Sequence, residues 1–169
     1  MAIALLAARL VLGLGLFAHG AQKLFGWFGG YGVKGTGGFM ESMGFRPGAL
    51  FAIGAGLGEA GGGLLTALGL GGPIGPALIV MVMIVAIFSV HISKGFFNGN
   101  GGYEFPLTNI AFALALSFAG FGPLSFDAAF GISDVWSDAA RWIVLFAGLL
   151  IGFVNLAVRR PSAKTQATA

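Results

Sequence analysis

Both histidines of this sequence stand in similar settings. His19 opens "HGAQKLFGWFGG" (19–30) and His91 opens "HISKGFFNGNGGYEF" (91–105); each is followed within four residues by a lysine, Lys23 or Lys94, and then by aromatic residues and glycines. Gln22 belongs to the first stretch, and Tyr103 and Glu104 close the second. A histidine titrates near neutral pH and can move a proton, while a neighbouring ammonium or carboxylate can polarise a carbonyl or a phenol. A quinone headgroup meets that description, and so does a lipid phosphate. The plainer alternative is a pair of membrane-interface anchors, each with a solvated lysine. A metal site is not expected, because two histidines and a carboxylate without H-x-x-H or E-x-x-H spacing on a helix make a poor ligand set. The glycine pairs precede no GKS or GKT, so they do not read as a phosphate-binding loop.

Two further ionisable residues interrupt apolar sequence. Arg9 falls about 9 Å into the first apolar run and Glu59 about 15 Å into the second. Either alone would be costly in hydrocarbon, so the reading is that Arg9 and Glu59 pair across antiparallel helices, whether as a functional site or as a packing device. Glycines surround them. Gly54, Gly58 and Gly62 recur every four residues, with Gly61 and Gly63 beside them, and Gly13 and Gly20 share a face with Arg9. Such strips let backbones touch or leave a slot for a flat ligand, and the spacing is the same for both.

The elements that must hold these residues are apolar runs at about 3–24, 49–70, 73–93, 106–124 and 140–158, each close to the ~20 residues a helix needs to cross a bilayer. The run at 106–124 is interrupted by Asn109 and ends early at Gly122 and Pro123. "LGLGGPIGP" (68–76) predicts a tight turn between antiparallel neighbours. In "GVKGTGGFMESMGFRPG" (32–48), Thr36 is placed to cap a short interfacial helix whose apolar face is Phe39, Met40 and Met43; a glycine-rich loop is the alternative. The tail 159–169 reads as disordered.

Composition agrees. Of 169 residues, 57% are hydrophobic and 9% charged, with a mean hydropathy of +0.92, against about 25% charged in an ordinary soluble domain. The fold class expected is all-α, a polytopic membrane helical bundle. The formal charge of +3 does not imply nucleic-acid binding, since the basic residues are scattered. Zero cysteines exclude thiol and Cys-ligated chemistry from this chain, so redox chemistry would need a bound cofactor or a protein partner. Arg9 inside the first run, with no positive residue before it, argues for a retained span rather than a signal peptide. Lys23, Lys34, Arg46, Lys94, Arg159, Arg160 and Lys164 fall on one side of a five-crossing topology, and Asp127, Asp134 and Asp138 on the other. That places the N-terminus outside and the C-terminus in the cytoplasm. Arg141 is the exception and is expected to snorkel outward. The three aspartates read as a solvated outer loop whose spacing is not that of a calcium loop.

"ARLVLGLGLFAHGAQKLFGWFGG" (8–30), "GTGGF", Glu59 in "GAGLGEAGGGLLTALGL", "SVHISKGFF" (89–97) and "GGYEFPL" (101–107) together resemble the DoxX family of small bacterial integral membrane proteins. The resemblance covers roughly residues 1–127 and carries Arg9, His19, Gln22, Lys23, Glu59, His91, Tyr103 and Glu104 over as the characteristic polar positions. It implies a four-helix core over 1–127, to which the acidic loop and fifth helix of 128–158 are additional. It also implies a plasma (inner) membrane location and a quinone-linked subunit or accessory of a redox complex, with membrane lipids and redox proteins as partners and no intrinsic cofactor beyond a quinone. The alternative is a non-enzymatic component that binds lipid or organises partners.

Overall fold

The structure is a computed structural model describing residues 1–160. Among these residues it is entirely helical. Its helices are α1 (Ala2–Phe25), α2 (Gly32–Ser42), α3 (Gly48–Leu68), α4 (Ile74–Ala86), α5 (Glu104–Ala119), the single turn α6 (Phe126–Ala129) and α7 (Asp138–Ala157). The backbone of α4 continues without a break, widening into a π turn at 87–91 and tightening into a 3-10 turn at 92–94. Four helices are long and apolar enough to cross a membrane: α1, α3, α4 with its continuation to Lys94, and α7. The protein is thus a multi-pass helical bundle, with residues such as Val11, Leu57, Ile143, Phe146 and Leu150 exposed on its flanks.

The fourth apolar run behaves differently from the rest. Only 16 residues of it are helical, about 24 Å of rise and short for a bilayer crossing. Gly120 ends the helix with φ 73°, before the glycine and proline the sequence points to. Asn109 is buried within the bundle, its amide donating to the thioether of Met83 on α4 at 3.7 Å. The short segment after α1 does form a helix, but it starts at Gly32, four residues before Thr36, and no side chain caps it.

The contact that sets the arrangement is α1 against α3. A methyl group at Gly13 would lie 2.5 Å from the Gly63 carbonyl oxygen and 2.7 Å from the Ala67 side chain; one at Gly20 would lie 2.6 Å from both the Gly56 carbonyl and the Ala60 side chain. Seven residues forward on α1, from Gly13 to Gly20, therefore correspond to seven residues back on α3, from Gly63 to Gly56. The helices run antiparallel with their backbones touching. The other glycines of α3 divide by face: Gly58 and Gly62 receive Val82 and Leu78 of α4, while Gly54 and Gly61 meet nothing. On the far side, Gly148 and Gly152 admit α7 against the Ala77 and Met81 carbonyls of α4.

Arg159 and Arg160, assigned to the disordered tail by the sequence reading, instead dock on the turn after α2. Arg159 Nε donates to the Met43 carbonyl at 2.5 Å, and the Arg160 amide to that of Gly44 at 2.8 Å. Residues 161–169 of that expected tail lie outside the described residues. The helix contacts give a direct test: Gly20→Ala should cost about 3 kcal/mol through overpacking, whereas Gly61→Ala should leave stability unchanged or slightly raised. Thermal unfolding of both variants in detergent measures the contrast.

Candidate functional site

The register of α1 on α3 decides which ionisable groups meet. Arg9 lies beside Gly69, so close that a side chain at Gly69 would overlap the guanidinium. Gly69 is ten residues beyond Glu59 along α3, or about 15 Å. The expected Arg9–Glu59 pair does not form. Counting depths from the ends of the apolar runs placed the two groups too close, because the glycine contacts align α1 and α3 differently.

Each group has another partner. Arg9 is fully buried; its Nη2 donates to the Leu124 carbonyl at 2.5 Å, and the Phe121 ring centroid lies 5.8 Å from its guanidinium carbon. The carboxylate acting on its charge is Asp127. Asp127 is only 3% exposed, contrary to its reading as a solvated loop residue. Its two oxygens accept from the Gly71 and Gly72 amides, each at 2.8 Å, and its own amide donates to the Gly69 carbonyl at 2.9 Å. One carboxylate thereby ties α6 to the α3–α4 turn. Arg141 is corrected as well. It does not snorkel outward but donates from Nη1 to the Ser117 and Phe118 carbonyls at 2.9 and 3.0 Å, closing the C-terminal turn of α5. Trp136 packs over Gly72.

Glu59 forms an ion pair with Lys23 of α1, in which Lys23 Nζ donates to Glu59 Oε2. Their side chains are 9% and 26% exposed respectively. The pair lies in the wall of a cavity of about 730 Å³ enclosed by the same ends of α1, α3, α4 and α7, together with α2 and the start of α5. This volume falls in the range of small-molecule sites. Its wall is largely apolar: Met40 of α2, Met43 just past its end, and Met81 and Met83 of α4 place four of the chain's five methionines there. Unbranched thioethers adapt to irregular apolar occupants.

His19 and His91 line the same cavity, so α1 and α4 bring their histidines together as the two similar stretches suggest. His19 packs against Phe105 with ring centroids 5.5 Å apart. His91 leaves the π turn, and its Nδ1 lies 2.6 Å from the Gly101 carbonyl, anchoring the 95–104 loop. The remaining candidates are not in the cavity wall. Gln22 donates to the Phe28 carbonyl at 3.1 Å, Glu104 accepts from the Asn98 amide at 2.8 Å, Tyr103 packs its ring on Phe96 and Lys94 lies exposed beside Gly101. They shape the two turns next to the cavity. Among the described residues, no three His, Cys, Asp or Glu side chains are grouped to hold a metal ion.

The helices carrying Lys23, Glu59 and His91 coincide with a stretch recognised independently. The DoxX family model matches residues 4–92, just over half of the chain. The chain belongs to the DoxX family. The match runs from α1 through the π turn and ends before Tyr103 and Glu104, a shorter span than the 1–127 of the sequence resemblance. No curated protein and no solved structure matches the chain significantly.

The methionine wall and the role of Asp127 were not foreseen. Met81 and Met83 look like any apolar helix positions, and nothing local distinguishes Asp127 from Asp134 and Asp138. Replacing Asp127 with Ala should leave two turn amides unpaired and remove the charge facing Arg9. The expected loss is about 2 kcal/mol or more, or roughly 5 °C in melting temperature. Asp134→Ala, at an exposed position, should leave it unchanged in the same thermal scan.

Proposed function

We propose that this DoxX-family protein is a quinone-linked component of a membrane redox complex whose cavity takes up a membrane-dissolved isoprenoid quinone. The observation that carries this reading is the Lys23–Glu59 ion pair in the wall of an otherwise apolar cavity of about 730 Å³, with His19 and His91 beside it. A quinone needs both parts: an apolar lining for its prenyl chain and a few polar groups for the head. The methionines suit a flexible chain, and the ion pair and histidines offer hydrogen bonds at one end. Electron transfer itself is assigned to a bound cofactor or to partner proteins, since the chain has no cysteine chemistry to contribute.

The basic residues support an orientation with the cavity end toward the cytoplasm of a bacterial plasma membrane. Lys23, Lys34, Arg46, Lys94, Arg159 and Arg160 all fall at that end, while Asp127, Asp134 and Asp138 fall at the other. The rival reading, a non-enzymatic lipid-binding or scaffolding component, shares the apolar wall but does not need the ion pair.

Mass spectrometry of small molecules and proteins that copurify after mild detergent extraction separates the two. Quinone is expected with the unaltered protein and is expected to fall at least tenfold with Lys23→Met or His19→Ala. Recovery of phospholipid alone, at levels indifferent to both substitutions, would overturn the quinone reading in favour of the lipid-binding one.

A further inference from the structure

Resting on the quinone reading above, we propose that the cavity discriminates between redox forms, holding the hydroxyl-bearing quinol in preference to the quinone through the open oxygen of Glu59. The asymmetry of the ion pair is the starting point. Lys23 engages Oε2, and Oε1 has no hydrogen-bond partner among the described residues. Nor is Oε1 sealed in protein: among the described residues, the buried side-chain atoms without partners are Nε and Nη1 of Arg9 and Oγ of Ser117. Glu59 lines the cavity while its side chain is 9% exposed. Its second oxygen is therefore an acceptor turned toward the space a ligand would fill, with little water available to satisfy it.

As the anionic partner of Lys23, this carboxylate can only accept. A quinone head also presents only acceptors. Its carbonyl oxygens set against Glu59 Oε1 would bring two lone-pair groups together in an apolar cavity, where the repulsion is poorly screened. A quinol presents the same flat ring with O–H donors. A hydroxyl donating to an ionised carboxylate makes a short, charge-assisted bond about twice as strong as a neutral one.

The other polar groups of the wall do not cancel this preference, since the Thr36 hydroxyl and the Asn155 amide can each both donate and accept and so serve either form. Ser89 Oγ donates to the Val85 carbonyl at 2.5 Å, Asn155 Nδ2 donates to the Ile151 carbonyl at 2.9 Å, and His91 Nδ1 is engaged with the Gly101 carbonyl. Among the described residues, Lys23 is the one lysine or arginine in the wall; one of its three N–H groups goes to Glu59, and the other two can donate to a quinone carbonyl or to a quinol oxygen alike. His19 can serve either form, because a neutral imidazole both donates and accepts. Gly54, five residues before Glu59 on α3, also lines the cavity, and the space where its side chain would be is empty. A flat ring can approach the helix there.

The test is equilibrium dialysis of the purified protein in detergent under argon against three short-chain probes: a benzoquinol, the corresponding benzoquinone, and the quinol's bis-O-methyl ether. The quinol should bind about ten to a hundred times more tightly than the quinone. The ether retains the aromatic ring without a donor and should bind as weakly as the quinone. In Glu59→Gln, whose amide can donate as well as accept, the quinol preference should disappear. Equal binding of quinol and quinone by the unaltered protein would overturn the discrimination while leaving the quinone reading intact. Binding of none of the three probes would overturn both. The ether comparison uses only the unaltered protein, so an unstable Glu59→Gln variant does not rescue the idea.

Discussion

The structure depends on one close approach, the backbone of α1 lying directly on that of α3. In hydrocarbon there is little hydrophobic gain from bringing two helices together, so packing and surface fit must decide how they associate. Gly13, Gly20, Gly56 and Gly63 provide that fit, and none of the four has room for a methyl group. Because the fit is steric, it fixes the register as well as the association. Every ionisable group on either helix then has a set depth relative to the other helix. Arg9 reaches the α3–α4 turn, and Lys23 reaches Glu59.

From that register the two ends of the bundle acquire different chemistry. At the end holding the N-terminus, polar side chains are spent on backbone. Arg9 holds the Leu124 carbonyl, Asp127 holds two amides of the glycine turn, and Arg141 holds the last carbonyls of α5. These bonds fasten short connections that have no other means of satisfying their peptide groups in a poorly hydrated setting. At the opposite end the ion pair leaves one carboxylate oxygen uncommitted beside a large apolar cavity. An organised scaffold at one end and unspent acceptor capacity at the other is the division expected of a binding protein.

What could be read from the sequence follows from which forces are local. Apolar runs of about twenty residues and the glycine-proline turn at 68–76 report on burial and backbone freedom, so the four long helices were legible. The grouping of His19, Lys23 and His91 was legible too, because each ends a helix pointing the same way. Register was not legible. It depends on which of many glycines meet: Gly54 shares the four-residue spacing of Gly58 and Gly62, and Gly61 lies next to Gly62, yet neither Gly54 nor Gly61 packs against anything. The Arg9–Glu59 expectation failed for that reason alone. Asp127 was hidden by a related difficulty: its partners are amides more than fifty residues away, and sequence spacing carries no trace of them.

The boundaries of the family match add a last step. Residues 4–92 supply the ion pair, both histidines and all four cavity methionines. Phe105 and Pro106 at the start of α5, and Val154, Asn155 and Val158 near the end of α7, complete the wall from outside that segment. Gly148 and Gly152 hold α7 tightly against α4, fixing that part of the wall. The ionisable groups of the cavity and a share of its apolar shape therefore come from different parts of the chain. Changes in α7 can reshape the apolar part of the cavity without touching Lys23 or Glu59, whereas changes to the α1–α3 contact displace the ion pair itself. The polar and the apolar parts of the cavity wall are in that sense physically separable.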